Sequence, residues 1–78
     1  MRHEIKLPKL GDMTEEVVVL EWLRAVGEHV DEGDGFLLVE TDKATVELPA
    51  PMAGVLVEQL VAVDDEVATG DPVCVLES

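Results

Sequence analysis

The chain of 78 residues has little of what other small folds use for stability. It has one cysteine, Cys74, so an internal disulfide is excluded. It has no tyrosine, and aromatic residues make up 3%, so the core must be built from Val, Leu and Ala. Five basic residues stand against 18 acidic ones, for a net charge of −13. This charge argues against partners such as nucleic acids or anionic membranes, and it favours an acidic face toward other proteins.

Membrane, secretion and metal signals are also missing from the sequence. The longest stretch without charge, residues 48–57, is too short to span a bilayer. The N-terminus lacks the apolar core of a signal peptide. His3 and His29 share no ligand spacing with Cys74, so no metal site is predicted. We expect a soluble protein of the bacterial cytoplasm, with the mitochondrial matrix as the alternative if a transit peptide has been removed.

An internal repeat organises the chain. When residues 17–41 are laid on residues 54–78, an offset of 37, nine of the 25 positions are identical, including the Gly-Asp pairs at residues 33–34 and 70–71. Leu7-Pro8 matches Leu48-Pro49 at an offset of 41, which predicts about four extra residues in a loop of the first half. We therefore predict one domain over residues 1–78, with half-repeats at roughly 1–41 and 45–78 joined by a hairpin at 41–44.

The pattern of short apolar runs predicts an all-β fold. Short runs rich in Val, Leu and Ile predict strands at residues 5–7, 17–23, 36–40, 45–48, 55–60 and 73–76, and Val30 and Val67 mark very short strands at best. Gly27 and Asp64 predict one pair of tight turns, and residues 32–35 and 69–72 a second pair. Neither half can bury its apolar face alone, so the two halves should pack as a flattened barrel or sandwich of two small sheets about a pseudo-twofold axis. The chain termini should then occupy the position related to the 41–44 hairpin.

Lys43 stands out at the midpoint of the repeat. It is the one basic residue after Arg24, and Glu40, Asp42 and Glu47 surround it. Asp42 is a preferred turn residue between two strand-like runs, so Lys43 should point outward from the tip of a hairpin. A protruding amine is accessible to an enzyme that modifies lysine. The ordinary alternative is a solvated turn lysine without a function.

The segment at residues 40–51, ETDKATVELPAP, resembles the lipoylation motif of the lipoyl domains of 2-oxo-acid dehydrogenase complexes. The opening Leu-Pro-Lys-Leu-Gly at residues 7–11 is similar to the family's first strand and loop. The resemblance implies two four-stranded antiparallel sheets in a flattened barrel, with lipoic acid in amide linkage to Lys43. It also implies that Glu40, Asp42, Ala44 and Gly54 help the modifying enzyme to recognise the lysine. Val17 departs from the family pattern, since many relatives have Gly after an acidic residue there.

The resemblance further implies a non-catalytic carrier, a monomeric domain that forms part of a dihydrolipoyl acyltransferase. Its lipoyl-lysine would act as a swinging arm that carries acyl groups and electrons. The implied partners are a thiamine-diphosphate 2-oxo-acid decarboxylase, an acyltransferase catalytic domain, dihydrolipoyl dehydrogenase, and a lipoate ligase or a lipoyl or octanoyl transferase. The loop that helps the decarboxylase to recognise its own domain would consist of Leu10, Gly11, Asp12, Met13, Thr14, Glu15 and Glu16.

Three further classes of protein stay open. A biotin carrier domain of a carboxylase shares the implied fold and the hairpin lysine, but it should have Met on both sides of the lysine, where this chain has Asp42 and Ala44. An unmodified interaction module would not need a lysine at this tip. A small enzyme lacks support, because no nucleophilic or metal-binding group of residues is visible in the sequence.

Overall fold

The computed structural model describes residues 1–9 and 16–78. Eight β-strands account for the secondary structure of this part of the chain, which confirms the all-β prediction. The strands are β1 (Arg2–Lys6), β2 (Glu16–Trp22), β3 (His29–Val30), β4 (Gly35–Glu40), β5 (Thr45–Pro49), β6 (Gly54–Gln59), β7 (Glu66–Ala68) and β8 (Pro72–Glu77). They form two four-stranded antiparallel sheets, ordered β1-β8-β6-β3 and β5-β4-β2-β7. The described residues include no helix long and apolar enough to cross a membrane.

The two sheets have the same internal order. An offset of 37 carries β2, β3 and β4 onto β6, β7 and β8, and β1 then takes the place of β5 in the other sheet. The irregularities of the ladders also correspond. The β2–β4 register shifts between Val19 and Glu21, and the β6–β8 register shifts between Leu56 and Glu58, 37 residues later. A pseudo-twofold axis therefore relates the two sheets.

The sequence match of Leu7-Pro8 with Leu48-Pro49 is wrong as a structural alignment. The N–H of Leu7 donates to Asp71 O at 2.8 Å, and the N–H of Ala50 donates to Asp34 O at 2.8 Å, so Leu7 corresponds to Ala50 at an offset of 43. Nine residues separate Leu7 from Val17 and three separate Ala50 from Gly54, so the first half is longer by six residues and not by four. A slip of two residues leaves the same side chains facing inward, so hydrophobic pattern alone does not detect it.

The predicted turns adopt the conformations that their residues favour. Gly27 and Asp64 have φ of 97° and 76°, and Gly33 and Gly70 have φ of 90° and 92°. All four lie in the left-handed region, where glycine is free of steric cost and Asp is one of the better-tolerated residues. The predicted strand at residues 5–7 is wrong at both ends, because β1 starts at Arg2 and ends at Lys6. The first residues of β1 are polar and so do not show a strand pattern in the sequence, but their backbone pairs with β8.

The core lies between the sheets and is aliphatic. No polar or charged side chain is buried in the described part of the chain. Phe36 is buried, and Trp22 packs against the core while half-buried, with its ring centroid 6.3 Å from that of Phe36. Cys74 is fully buried, as predicted for a small apolar side chain. The other buried hydrophobic residues are Ile5, Leu7, Val17, Val19, Val30, Leu37, Val39, Leu48, Ala50, Leu56, Val67, Val73 and Leu76.

The chain ends meet at the place that corresponds to the 41–44 hairpin. The N–H of Thr41 donates to Ala44 O at 2.8 Å, and the N–H of Ser78 donates to Met1 O at 3.0 Å. Thr41 corresponds to Ser78 at the offset of 37, and Met1 corresponds to Ala44 at the offset of 43. The same ladder end is thus closed by a tight turn in one sheet and by the two ends of the chain in the other.

Candidate functional site: a hairpin lysine

Lys43 occupies the tip of the β4–β5 hairpin. Glu40 and Thr45 form the last pair of the ladder. Beyond them the Thr41–Ala44 backbone bond of 2.8 Å closes a turn with Asp42 and Lys43 at its centre. Both central side chains are exposed. Two strands anchored by a buried ladder therefore carry a short loop with the amine on its outside.

The side chain of Thr41 holds the turn from within. Its hydroxyl donates to Ala44 O at 2.9 Å. The same oxygen accepts from the N–H of Ala44 at 3.1 Å and from the N–H of Lys43 at 3.3 Å. Sequence reasoning missed this role. The signal available was a hydroxyl residue two positions before the lysine, since Thr and Ser bond to nearby backbone groups in turns.

The charge around the tip is acidic. Glu40, Asp42 and Glu47 are exposed, and none of them forms an ion pair with Lys43 among the described residues. Among the described residues the amine has no ion-pair partner, and the carboxylates around it would attract a basic partner surface.

The structure brings one end of the predicted recognition loop toward the hairpin. Val18 of β2 pairs with Glu40 of β4, and the two strands are antiparallel. Glu16 lies two residues beyond this pair in the direction of the hairpin, and it is exposed. The other predicted recognition residues, Leu10, Gly11, Asp12, Met13, Thr14 and Glu15, lie outside the described residues.

Gly54 is not brought to the hairpin. It begins β6 in the other sheet and pairs with Val30. A Cβ built on Gly54 would stand 2.9 Å from Glu77 O and 3.4 Å from the Cβ of Leu76. The residue at the symmetry-related position is Val17, which is buried with a full side chain. The contact with Glu77 thus explains why residue 54 is glycine without reference to a modifying enzyme. The role of Gly54 in enzyme recognition stays a prediction.

Comparisons with known proteins place the chain in a family. The sequence model of the biotin/lipoyl family, described as "Biotin-requiring enzyme", matches residues 3–77. The chain belongs to the biotin/lipoyl family. Within it, the dihydrolipoyllysine-residue acetyltransferase component of the pyruvate dehydrogenase complex from Haemophilus influenzae is 44% identical over 78 residues. That alignment covers 100% of this chain and 13% of the relative, so the chain spans only a small part of the relative's length.

Solved structures of a lipoyl domain and of a carboxylase share the fold. The lipoyl domain of the 2-oxoglutarate dehydrogenase complex from Azotobacter vinelandii has a TM-score of 0.74 and 28% identity, covering 96% of this chain and 95% of that one. A single-chain, multi-domain long-chain acyl-CoA carboxylase has a TM-score of 0.78 and 26% identity, covering 95% of this chain and 7% of that one. The fold alone does not distinguish a lipoyl domain from the domain of the carboxylase. The sequence match over all 78 residues of this chain does, and it identifies the chain as a lipoyl domain, a non-catalytic carrier.

The hairpin fits the group that lipoyl domains carry, which is lipoic acid bound covalently to a lysine. Amide attachment needs an amine that can enter an enzyme's active site, and Lys43 is exposed on a narrow turn. The described part of the chain contains two other lysines, Lys6 in β1 and Lys9, both exposed. Neither stands in a tight turn between paired strands.

Proposed function

We propose that Lys43 is the lipoyl attachment site and that this domain is the swinging-arm carrier of a 2-oxo-acid dehydrogenase complex. The observation that carries the proposal is the tip geometry, an exposed lysine in a turn closed by the Thr41–Ala44 bond of 2.8 Å. A group attached there projects away from a rigid sandwich. The lipoyl group, when bound, supplies the dithiolane that accepts an acyl group and two electrons.

The residues of the chain hold and present the arm. The β4–β5 ladder fixes the base of the hairpin, because Val39 and Leu48 are buried on its inner face. A tethered arm raises the effective concentration of its cargo at each active site within reach. No polar or charged side chain is buried in the described residues, so this part of the domain holds no enclosed acid–base group.

The proposed partners are a thiamine-diphosphate 2-oxo-acid decarboxylase, an acyltransferase catalytic domain and dihydrolipoyl dehydrogenase. The Haemophilus influenzae relative is an acetyltransferase component of the pyruvate dehydrogenase complex, which supports this class of assembly. The acidic tip and Glu16 form a surface suited to a basic patch on the decarboxylase. Substituting Asp12, Glu15, Glu16 and Asp42 by Asn or Gln should slow reductive acylation, and an unchanged rate would exclude this surface as the determinant.

The parent protein is proposed to be a dihydrolipoyl acyltransferase of the bacterial cytoplasm. The bacterial source of the acetyltransferase relative supports this setting. Immunodetection of the parent protein in the soluble fraction of the source cell would agree with it, and recovery with membranes or organelles would contradict it.

A biotin carrier is the second candidate, favoured by the fold match to a carboxylase at a TM-score of 0.78. The residues beside the lysine favour lipoate, because Asp42 and Ala44 stand where a biotin carrier should have Met. These two readings predict different covalent adducts on the same side chain.

The deciding experiment is an intact mass measurement with peptide mapping after incubation with lipoate, ATP and a lipoate ligase. Wild type should gain one lipoyl group, and Lys43→Arg should gain none. The double variant K6R/K9R should be modified like wild type, since it keeps the hairpin amine and removes the other two lysines. Biotin with a biotin ligase is the parallel arm. A biotinyl adduct, or no adduct on a folded domain, would overturn the proposal.

A further inference from the structure

The hydroxyl of Thr41 takes part in three hydrogen bonds within the hairpin turn. It donates to Ala44 O at 2.9 Å and accepts from the N–H of Ala44 at 3.1 Å and from the N–H of Lys43 at 3.3 Å. Thr41 is half-buried, while Asp42, Lys43 and Ala44 are exposed. The side chain therefore joins the backbone on both sides of the Lys43–Ala44 peptide to the end of β4.

The symmetry-related end of the fold, where Ser78 meets Met1, shows which of these hydrogen bonds recur there and which do not. Ser78 corresponds to Thr41, and its N–H donates to Met1 O at 3.0 Å, so the backbone closure recurs there. The hydroxyl network does not recur. The Met1 amine donates to Ser78 O at 2.9 Å, and Ser78 Oγ lies 3.1 Å from His3 Nε2. The Ser78–Met1 backbone bond therefore forms without a hydroxyl bonded to the backbone across the ladder end, and of these two ends only the lysine end has the hydroxyl network.

We propose that Thr41 is a positioning residue for modification of Lys43, with its hydroxyl fixing the direction in which the lysine leaves the turn. The proposal rests on Lys43 being the attachment site. During transfer from lipoyl-adenylate, the neutral Lys43 amine attacks the lipoyl carbonyl carbon and forms the amide bond. The bond from that carbon to the phosphate oxygen of AMP breaks, AMP leaves with the electron pair, and the proton from the amine passes to the ligase or to solvent. The amine must reach this carbon while the whole domain is docked. A turn held in one conformation places the amine near that carbon at a lower entropic cost than a flexible turn would.

The test compares Thr41→Val, which keeps the shape and removes the hydroxyl, with Thr41→Ser, which keeps the hydroxyl. The matched control is Thr45→Val, because Thr45 is an exposed threonine at the start of β5, next to the same hairpin. Each variant is modified by a lipoate ligase with lipoate and ATP, over a range of domain concentrations. Melting curves and the hydrogen-exchange rates of the Lys43 and Ala44 amides are recorded beside the kinetics.

We expect Thr41→Val to lower kcat about tenfold with little change in KM, which equals about 1.4 kcal/mol of transition-state stabilisation. Thr41→Ser and Thr45→Val should stay within about twofold of wild type, and only Thr41→Val should speed exchange of the two turn amides. A purely structural role would instead lower the folded fraction, which raises the apparent KM and the global exchange rate while kcat holds.

The outcomes separate this proposal from the proposed function. If wild type is modified on Lys43 and Thr41→Val matches its kcat, the positioning role is overturned while the attachment site stands. If Thr41→Ser fails as badly as Thr41→Val, the hydroxyl is not the cause and the positioning role is also overturned. If wild type itself takes no lipoyl group, the proposed function fails and the positioning role fails with it.

Discussion

Gly54 lies against the backbone of Glu77. A Cβ built on Gly54 would stand 2.9 Å from the carbonyl oxygen of Glu77, closer than real Cβ atoms come to such a group. The obstacle is main chain in a paired central strand, so it cannot turn aside as a side chain does. The glycine therefore allows the start of β6 to approach the end of β8.

Substituting Gly54 by Ala should lower the free energy of unfolding by about 1–3 kcal/mol, the usual cost of overpacking. Gly35→Ala is the matched control, because the added Cβ would meet Glu47 Oε1 at 3.2 Å, the end of a flexible side chain. Urea unfolding checks the difference. Lipoylation of the folded fraction of Gly54→Ala should equal wild type. Normal stability with lost lipoylation would instead support direct recognition of Gly54 by the enzyme.

Leu56 should contribute far more to stability than Leu60. Leu56 is fully buried between the sheets, and Leu60, four residues later, is 37% exposed. Leu56→Ala should cost about 2–5 kcal/mol because it removes buried methyl groups and leaves a cavity. Leu60→Ala should cost less than about 1 kcal/mol. Thermal unfolding of the two variants tests this order, and equal losses would contradict the position of the core.

Cys74 should make stability fall at alkaline pH. Burial raises the pKa of its thiol from 9.0 to about 12, so the folded state keeps the proton over a range in which the unfolded state loses it. Stability from this group is intact below pH 9, and it declines by about 1.4 kcal/mol per pH unit as the pH rises toward 12. Denaturant titrations at several pH values between about 8 and 11 should show this decline in the free energy of unfolding of wild type. Cys74→Ala should lack the part of the decline that comes from the thiol. If the free energies of both proteins fall in parallel with pH, the thiol is not the cause.

Asp64 should tolerate glycine better than a β-branched residue. Its φ of 76° is in the left-handed region, and its N–H donates to Val19 O at 2.8 Å, which holds the backbone in that conformation. Asp64→Val should lower the free energy of unfolding by about 1–3 kcal/mol through strain. Asp64→Gly should stay within about 1 kcal/mol of wild type. Urea midpoints of the two variants decide, and a Val variant as stable as the Gly variant would refute the strain.

Much of the fold and the centre of the site could be predicted from the sequence, because they depend on neighbouring residues. Gly27, Asp64 and Lys43 are examples. The first two allow the left-handed backbone wherever they stand, and the lysine follows a turn-favouring Asp42 between two runs of apolar residues. Local chemistry thus determined the turns, the aliphatic core and the outward amine.

Only the tertiary structure decided the relationships that depend on register and close approach. Leu7 matches Ala50 and not Leu48, because a two-residue slip preserves the inward face and only the ladder bonds to Asp71 and Asp34 distinguish the two alignments. The steric need for glycine at residue 54 depends on a carbonyl 23 residues further along the chain. The sequence by itself determined which residues form turns, which are buried and which lysine lies at a hairpin tip. Contacts between distant strands determined how the halves align and where only glycine fits.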